Sequence, residues 1–231
     1  MENSRLRDAV ALRGALGRPG APDASTLRER KPDASTLRER KKAQTRSALW
    51  NAAIELFVAH GFDNVSVAQI AAAAGVSKMT FFNYYPSKED LVVGPMSEHI
   101  DEPALVVRGR ADGESAVDAL HRHFLEGLAR HELTTGLCDK PNVLAVLRLI
   151  FTTPSLTQRT MAILSESSDV LALELGPDFS HRAAAAMITG VRNALVMENT
   201  NRLLAGESAD TVYPSAVANA NEAFTLLRSG L

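Results

Sequence analysis

The sequence predicts an all-α chain, and three observations carry that prediction. From Leu37 onward apolar residues recur at the i, i+3, i+4, i+7 spacing of one helical face. No stretch alternates apolar and polar residues with period two, and no Asn-Gly or Asp-Gly turn joins two such runs. Glycines, prolines and serines in capping position divide the periodic sequence into segments of ordinary helix length.

The first helix is expected from about Ser35 to His60. Leu49, Ala53, Leu56 and Phe57 share a face that Trp50 and Ile54 widen, and Gly61 ends it. Upstream stands a doubled decapeptide, Pro22–Lys31 and Pro32–Lys41. Its second copy opens the helix, with Asp33 or Ser35 as cap. The first copy cannot continue that helix, because Pro32 lacks a donor and clashes with the preceding turn. A second, short helix follows Ser66 as N-cap, with Val67, Ile70, Ala71 and Ala74 on one side and Gly75 as stop. A third runs from its cap Ser77 to about Tyr84, before Pro86. Ser87 caps a fourth, beginning "KEDLVV". Further helices are expected at 88–108, with Gly94-Pro95 as candidate break, then at 114–131, 141–151, 155–175, 180–205 and 209–229. Pro141, Pro154, Gly176-Pro177 and Gly206 punctuate them.

The 231 residues, 45% hydrophobic and 23% charged, have an ordinary globular composition with room for a sizeable core. No run of about 18 apolar residues suggests a membrane span. The single Cys138 excludes an internal disulfide and a multi-cysteine metal cluster, and fits a reducing compartment. Arg5, Arg7, Arg13 and Arg18 loosely resemble a transit peptide, but Glu2 and Asp8 interrupt them and no apolar core follows, so a disordered leader is expected. Net charge is −2, unevenly placed. Residues 1–46 carry 12 Lys/Arg against 6 Asp/Glu, and the remainder 13 against 21. Basic charge gathered at one end is where a footprint for phosphates would lie.

The stretch "VSVAQIAAAAGVSKMTFFNYYPSKEDL" places two short helices around a glycine-containing turn, the helix-turn-helix pattern. The major groove of B-DNA admits one helix, and the preceding helix can brace it across the backbone. On the second helix Phe81 and Tyr85 can face inward, while Lys78, Met79, Phe82 and Asn83 form another face. Lysine suits phosphate or guanine, asparagine suits adenine, and Met79 and the Thr80 methyl suit a thymine methyl. The dipole at this helix's N-terminus favours a phosphate, and Tyr84 and Lys88 are candidate phosphate contacts. On spacing alone, a structural helix pair with a solvated face reads equally well.

The stretch from about Arg46 to Leu91, with "AAIELFVAHGFDNVSVAQIAAAAGVSKMTFFNYYPSKEDL" as the matching residues, resembles the DNA-binding domain of the TetR family of bacterial transcriptional regulators. That resemblance implies an N-terminal three-helix helix-turn-helix domain at 35–90 and a C-terminal helical ligand-binding and dimerisation domain at 91–231. Residues 1–34 form a basic extension, expected to be disordered. It implies a cytoplasmic, nucleoid-associated homodimer, not an enzyme, acting as a repressor on a palindromic double-stranded DNA operator and released by a small hydrophobic effector. Carried over by position, Ser77–Tyr84 is the recognition helix. Lys78, Met79, Thr80 and Asn83 approach bases, and Arg46, Ser66, Ser77, Tyr84 and Lys88 hold or adjoin backbone. Ala68 and Phe82 depart from the family, where many members have Arg and Tyr. The basic N-terminal segment then gains weight: Arg28, Arg30 and Lys31 form an arm on the DNA, or the repeat is a tandem duplication that leaves a tail.

In the second half, Met187, Gly190, Val191 and Ala194 lie along one side of "HRAAAAMITGVRNALV", and Ala220, Ala223 and Leu227 along "AVANANEAFTLL". Small residues allow close approach, and two such helices from each subunit would make a four-helix interface. Phe124, Leu128, Leu147, Phe151 and Met161 are candidates for an apolar effector pocket. No cofactor or metal is expected. His121 and His123 point about 200° apart on a helix, and His99, His131 and His181 lack ligand spacing. Cys138, beside Lys140, reads as an incidental thiol. There is no GxSxG, P-loop or metal motif, so an enzyme is disfavoured. The alternative is a helical protein-interaction adaptor, which leaves the divided recognition helix and the basic N-terminus without a purpose.

Overall fold

A computed structural model describes residues 34–230. The chain divides into two units, Met1–Lys41 and Lys42–Leu231. Of the first unit only Ala34–Lys41 are described. They are helical, and Leu37–Arg40 lie exposed. The first decapeptide copy and the leader, with the arm expected there, fall outside the described residues.

The elements are α1 (Ala34–His60), α2 (Val67–Ala73), α3 (Lys78–Phe82), α4 (Lys88–Ser97), α5 (Glu102–Arg108) and α6 (Ala116–Ala129). A 3₁₀ turn (Leu133–Thr135) precedes α7 (Pro141–Thr152), α8 (Pro154–Leu175), α9 (Phe179–Leu204) and α10 (Ala209–Gly230). Among the described residues there is no strand. Nor is any helix there long and apolar enough to cross a membrane.

The short helices start where serine side chains can satisfy free N–H groups. Ser66, Ser77, Ser87 and Ser115 accept from the backbone three residues on. Because α1 begins at Ala34, Ser35 lies inside its first turn. Two boundaries differ from the sequence reading. Pro95 lies inside α4, and the break comes later, at 98–101. Buried Leu91, Val92 and Val93 hold α4 in place, and Pro95 removes a hydrogen bond only near the helix end. The helix α3, expected to reach about Tyr84, is also shorter, with Asn83 as its C-cap.

Two apolar clusters form the core. One joins α6, α9 and α10 around Leu120, Phe124, Leu128, Ile188 and Phe224. The other contains Leu49, Phe57, Ile70, Phe81 and Leu91, but also Ile150, Leu156 and Ile163 from α7 and α8. No break therefore falls at the expected 90/91 boundary, because α4 runs through it and packs on α8. Arg159 Nε donates to Asp90 Oδ1 at 2.7 Å across that contact.

Candidate nucleic-acid interface and effector cavity

The turn between α2 and α3 is fixed by the backbone. Gly75 adopts φ +69°, the left-handed conformation that glycine takes without a Cβ penalty. Its N–H donates to Ala72 O, and that of Val76 to Ala71 O, a complete Schellman closure. At the start of α2, Ser66 and Gln69 form a reciprocal capping box. At the start of α3, Ser77 Oγ accepts from Thr80 N and bonds Thr80 Oγ1 at 2.8 Å.

These constraints divide the five residues of α3. Phe81 is fully buried, 6.0 Å from the Tyr85 ring. Lys78, Met79, Phe82 and Asn83 are exposed, Met79 at 72% and Phe82 at 45%. The face expected from the sequence is the face presented. Lys78 Nζ lies 5.9 Å from the Phe82 ring centre. Thr80 is half-buried with its hydroxyl turned to Ser77, so its part is in the cap. Tyr84 is half-buried and Ser66 exposed. Arg46 is exposed on α1, in a loose 3.6 Å ion pair with Glu98, a type of contact worth about 0–1 kcal/mol.

Lys88 does something else. Its ammonium donates to Phe62 O at 2.8 Å and Val65 O at 3.2 Å, and sits 4.2 Å from the Phe62 ring centre. The residue expected to hold a phosphate is instead turned into the α1–α2 turn, where the carbonyls of Phe62 and Val65 lie outside both helices and accept from it.

The second half holds a cavity of about 230 Å³. Of the expected effector residues, Leu147, Phe151 and Met161 line it, whereas Phe124 and Leu128 are buried in the α6–α10 core and do not reach it. Sequence reasoning missed its polar members. Arg192 on α9 faces the cavity with no hydrogen bond or ion pair among the described residues, and burial pushes its guanidinium pKa down, with Glu102 opposing. The Glu102 oxygens are engaged elsewhere, by His123 Nε2 at 2.7 Å and His99 Nδ1 at 3.3 Å. Burial works to raise the Glu102 pKa, but the His123 hydrogen bond and the Arg192 charge outweigh it and hold it low. Trp50, from α1, also lines the cavity, and its indole N–H is buried without a partner among the described residues. The signal for Arg192 was a single charge within the otherwise uncharged stretch 183–197 of α9. Trp50 gave none. Among the described residues, no group of three His, Cys, Asp or Glu could hold a metal.

Of the expected dimer residues, Met187, Gly190 and Ala194 are exposed on α9 and Val191 is half-buried. On α10 Ala220 and Leu227 point into the core of their own subunit and Ala223 is half-buried; the outward face shows Ala218, Glu222 and Leu226 instead. The inward apolar stripe was mistaken for the outer one, since both have helical period.

Residues 49–93 match the family model of bacterial regulatory proteins, tetR family. Over 188 residues, 77% of this chain and 78% of its relative, the sequence is 32% identical to the HTH-type transcriptional regulator TcmR of Streptomyces glaucescens. Among solved structures, NalD of Pseudomonas aeruginosa, the secondary repressor of the MexAB-OprM multidrug efflux pump, aligns with a TM-score of 0.53 at 20% identity, covering 78% of this chain and 97% of NalD. A TetR-family regulator of Streptomyces coelicolor aligns at 0.52 with 22% identity, over 80% and 96%. Likeness at that identity shows a shared fold.

Proposed function

Because the chain belongs to the TetR family of bacterial transcriptional regulators, we propose that it is a dimeric repressor, released from a palindromic operator in the cytoplasm when a small molecule fills the cavity. One observation carries the DNA-binding part. A five-residue helix, fixed by Phe81 and two backbone closures, displays Lys78, Met79, Phe82 and Asn83 together. A lysine and an asparagine read base edges by hydrogen bonding, and the exposed thioether and ring meet thymine methyls. Ser66, Ser77, Thr80 and Tyr84 shape and flank this face, and Arg46 adds charge. An adaptor that binds only protein has no use for this polar–apolar mixture at the end of a braced helix.

Dimerisation is supported by the outward faces of α9 and α10. Met187 and Leu226 are large, apolar and exposed, at 44% and 66%, and the exposed Gly190 and Ala194 that follow Met187 along α9 allow a second copy to approach closely. Two recognition helices related by a two-fold axis match half-sites about 34–36 Å apart or at multiples of that spacing. The effector acts only through its different affinity for the DNA-competent and incompetent forms.

The test is a gel shift on duplexes selected from the DNA flanking the gene and from random sequence, at two salt concentrations. Lys78→Ala and Asn83→Ala should each weaken specific binding by about 1–3 kcal/mol. Unchanged affinity in both variants would remove α3 as the reading surface. Failure of the native chain to select any duplex would remove the regulator reading itself.

A further inference from the structure

Two donors of the cavity wall, Arg192 and Trp50, have no hydrogen-bond partner among the described residues. The walls are largely apolar, with Val92, Met96, Ile150, Leu164 and Val196 among them. Into this surface Arg192 directs a guanidinium that makes no hydrogen bond or ion pair among the described residues. Arginine cannot shed its charge in a protein, and a half-buried charge without a partner opposes folding. Glu102 also lines the cavity, yet each of its oxygens already meets an imidazole. The Trp50 indole, a donor only, is the second unpartnered group.

We propose, on the reading that this cavity is the effector site, that the effector is a small apolar acid. Its carboxylate pairs with Arg192, and because Trp50 Nε1 is buried away from the cavity space, an acceptor oxygen takes its hydrogen only by turning the indole. A cation is repelled by Arg192, and a hydrocarbon leaves both donors unpaired. Among the described residues Trp50 is the only part of α1–α3 in the cavity wall. It neighbours Leu49, which is fully buried in the core that holds Phe81. A ligand that moves the indole therefore pushes on the helix that supports the recognition helix, and Trp50 is the positioning residue through which occupancy reaches the DNA.

Trp50 is the sole tryptophan of the chain, so its fluorescence reports the site directly. Octanoate and phenylbutanoate should shift its emission and bind at least about tenfold more tightly than octan-1-ol, with octylamine weaker still. Arg192→Met should abolish the preference for acids and raise the melting temperature of the ligand-free protein, since an unpaired charge is removed. Arg192→Lys, which keeps the charge but loses the planar fork, should weaken acid binding without changing the fold. Trp50→Phe should bind octanoate by calorimetry yet stay on DNA when the acid is present. Alcohols that bind as well as the acids, no binding of either acid, or an Arg192→Met protein that melts lower with acid binding intact would each overturn the inference. If the native chain binds its operator and the acids do not release it, this inference fails and the regulator reading stands. If it binds no operator, that reading fails first.

Discussion

Lys88→Met separates two roles for one lysine. The ammonium donates to Phe62 O and Val65 O and covers the Phe62 ring. Hydrogen bonds from a charged donor contribute about 1.5–3 kcal/mol, and a cation over an aromatic face about 0.5–1 kcal/mol at exposed sites. Two features lower the sum. Phe62 O keeps a second partner, Val65 N at 3.3 Å, and the half-buried site lets water replace part of what is lost. Methionine also retains the apolar stem contact with Phe62. A loss of about 2 kcal/mol is expected, which for a chain of this size lowers Tm by about 4–8 °C. The assay pairs thermal unfolding with operator binding across a salt series. A phosphate-holding lysine contributes close to one unit to the slope of log K against log salt. The expected result is a lower Tm with an unchanged slope. An unchanged Tm with a slope reduced by about one would refute the clamp and restore Lys88 to the DNA.

Two glycines test strain against collision. Gly75→Ala places a Cβ in open space at φ +69°, so it should cost only the left-handed penalty of about 1–2 kcal/mol. Gly136→Ala, at φ +72°, drives the Cβ into Val196 O and to 2.8 Å from Thr200 Oγ1, and overpacking adds about 1–3 kcal/mol. Equal losses on denaturant unfolding would sink this distinction. Ser66→Ala should lower stability by about 1 kcal/mol through the lost cap; a fall in the salt slope as well would add a phosphate contact to its role. His121 is a pH prediction. Burial first, and then Arg228, lower its pKa. The neutral ring donates from Nε2 to Asn221 Oδ1 and accepts at Nδ1 from Arg228 Nη2. Its contribution is therefore complete above the unfolded value of about 6.5 and is lost as pH falls through the lower folded value. In His121→Asn the drop in Tm from neutral toward acid pH should be shallower than in the native chain, and parallel curves would contradict it.

What the sequence revealed was what local chemistry decides. Ser66, Ser77 and Ser87 were legible as caps because a cap is a contact three residues long, and Gly61 and Gly75 because a left-handed residue is a property of one position. The exposed face of α3 followed from period alone once Phe81 was taken as inward. The role of Lys88 was hidden because its partners, Phe62 and Val65, are backbone carbonyls more than twenty positions away, and no side-chain pattern marks them. Ala220 and Leu227 failed for a different reason. A helix packed inside and also contacting a second copy has two apolar stripes, and sequence alone does not say which faces in. The Arg192–Trp50 arrangement is a juxtaposition of α9 and α1, which only the packing of α4, α7 and α8 between them creates.

The division of α3 has a consequence for how this protein can change. Phe81 and the two turns hold the helix, while Lys78, Met79 and Asn83 take no part in the core beneath it and Phe82 only meets Phe81 edge-on, ring centres 5.5 Å apart. Where these positions read the operator, as proposed, substitutions that alter which sequence is read draw little on a stability margin that most core changes would exhaust. Paralogues could diverge to new operators through these four positions without compensating mutations elsewhere. For the same reason the platform is suited to engineering: four codons can be randomised while the scaffold, its cavity and the link between them are left untouched.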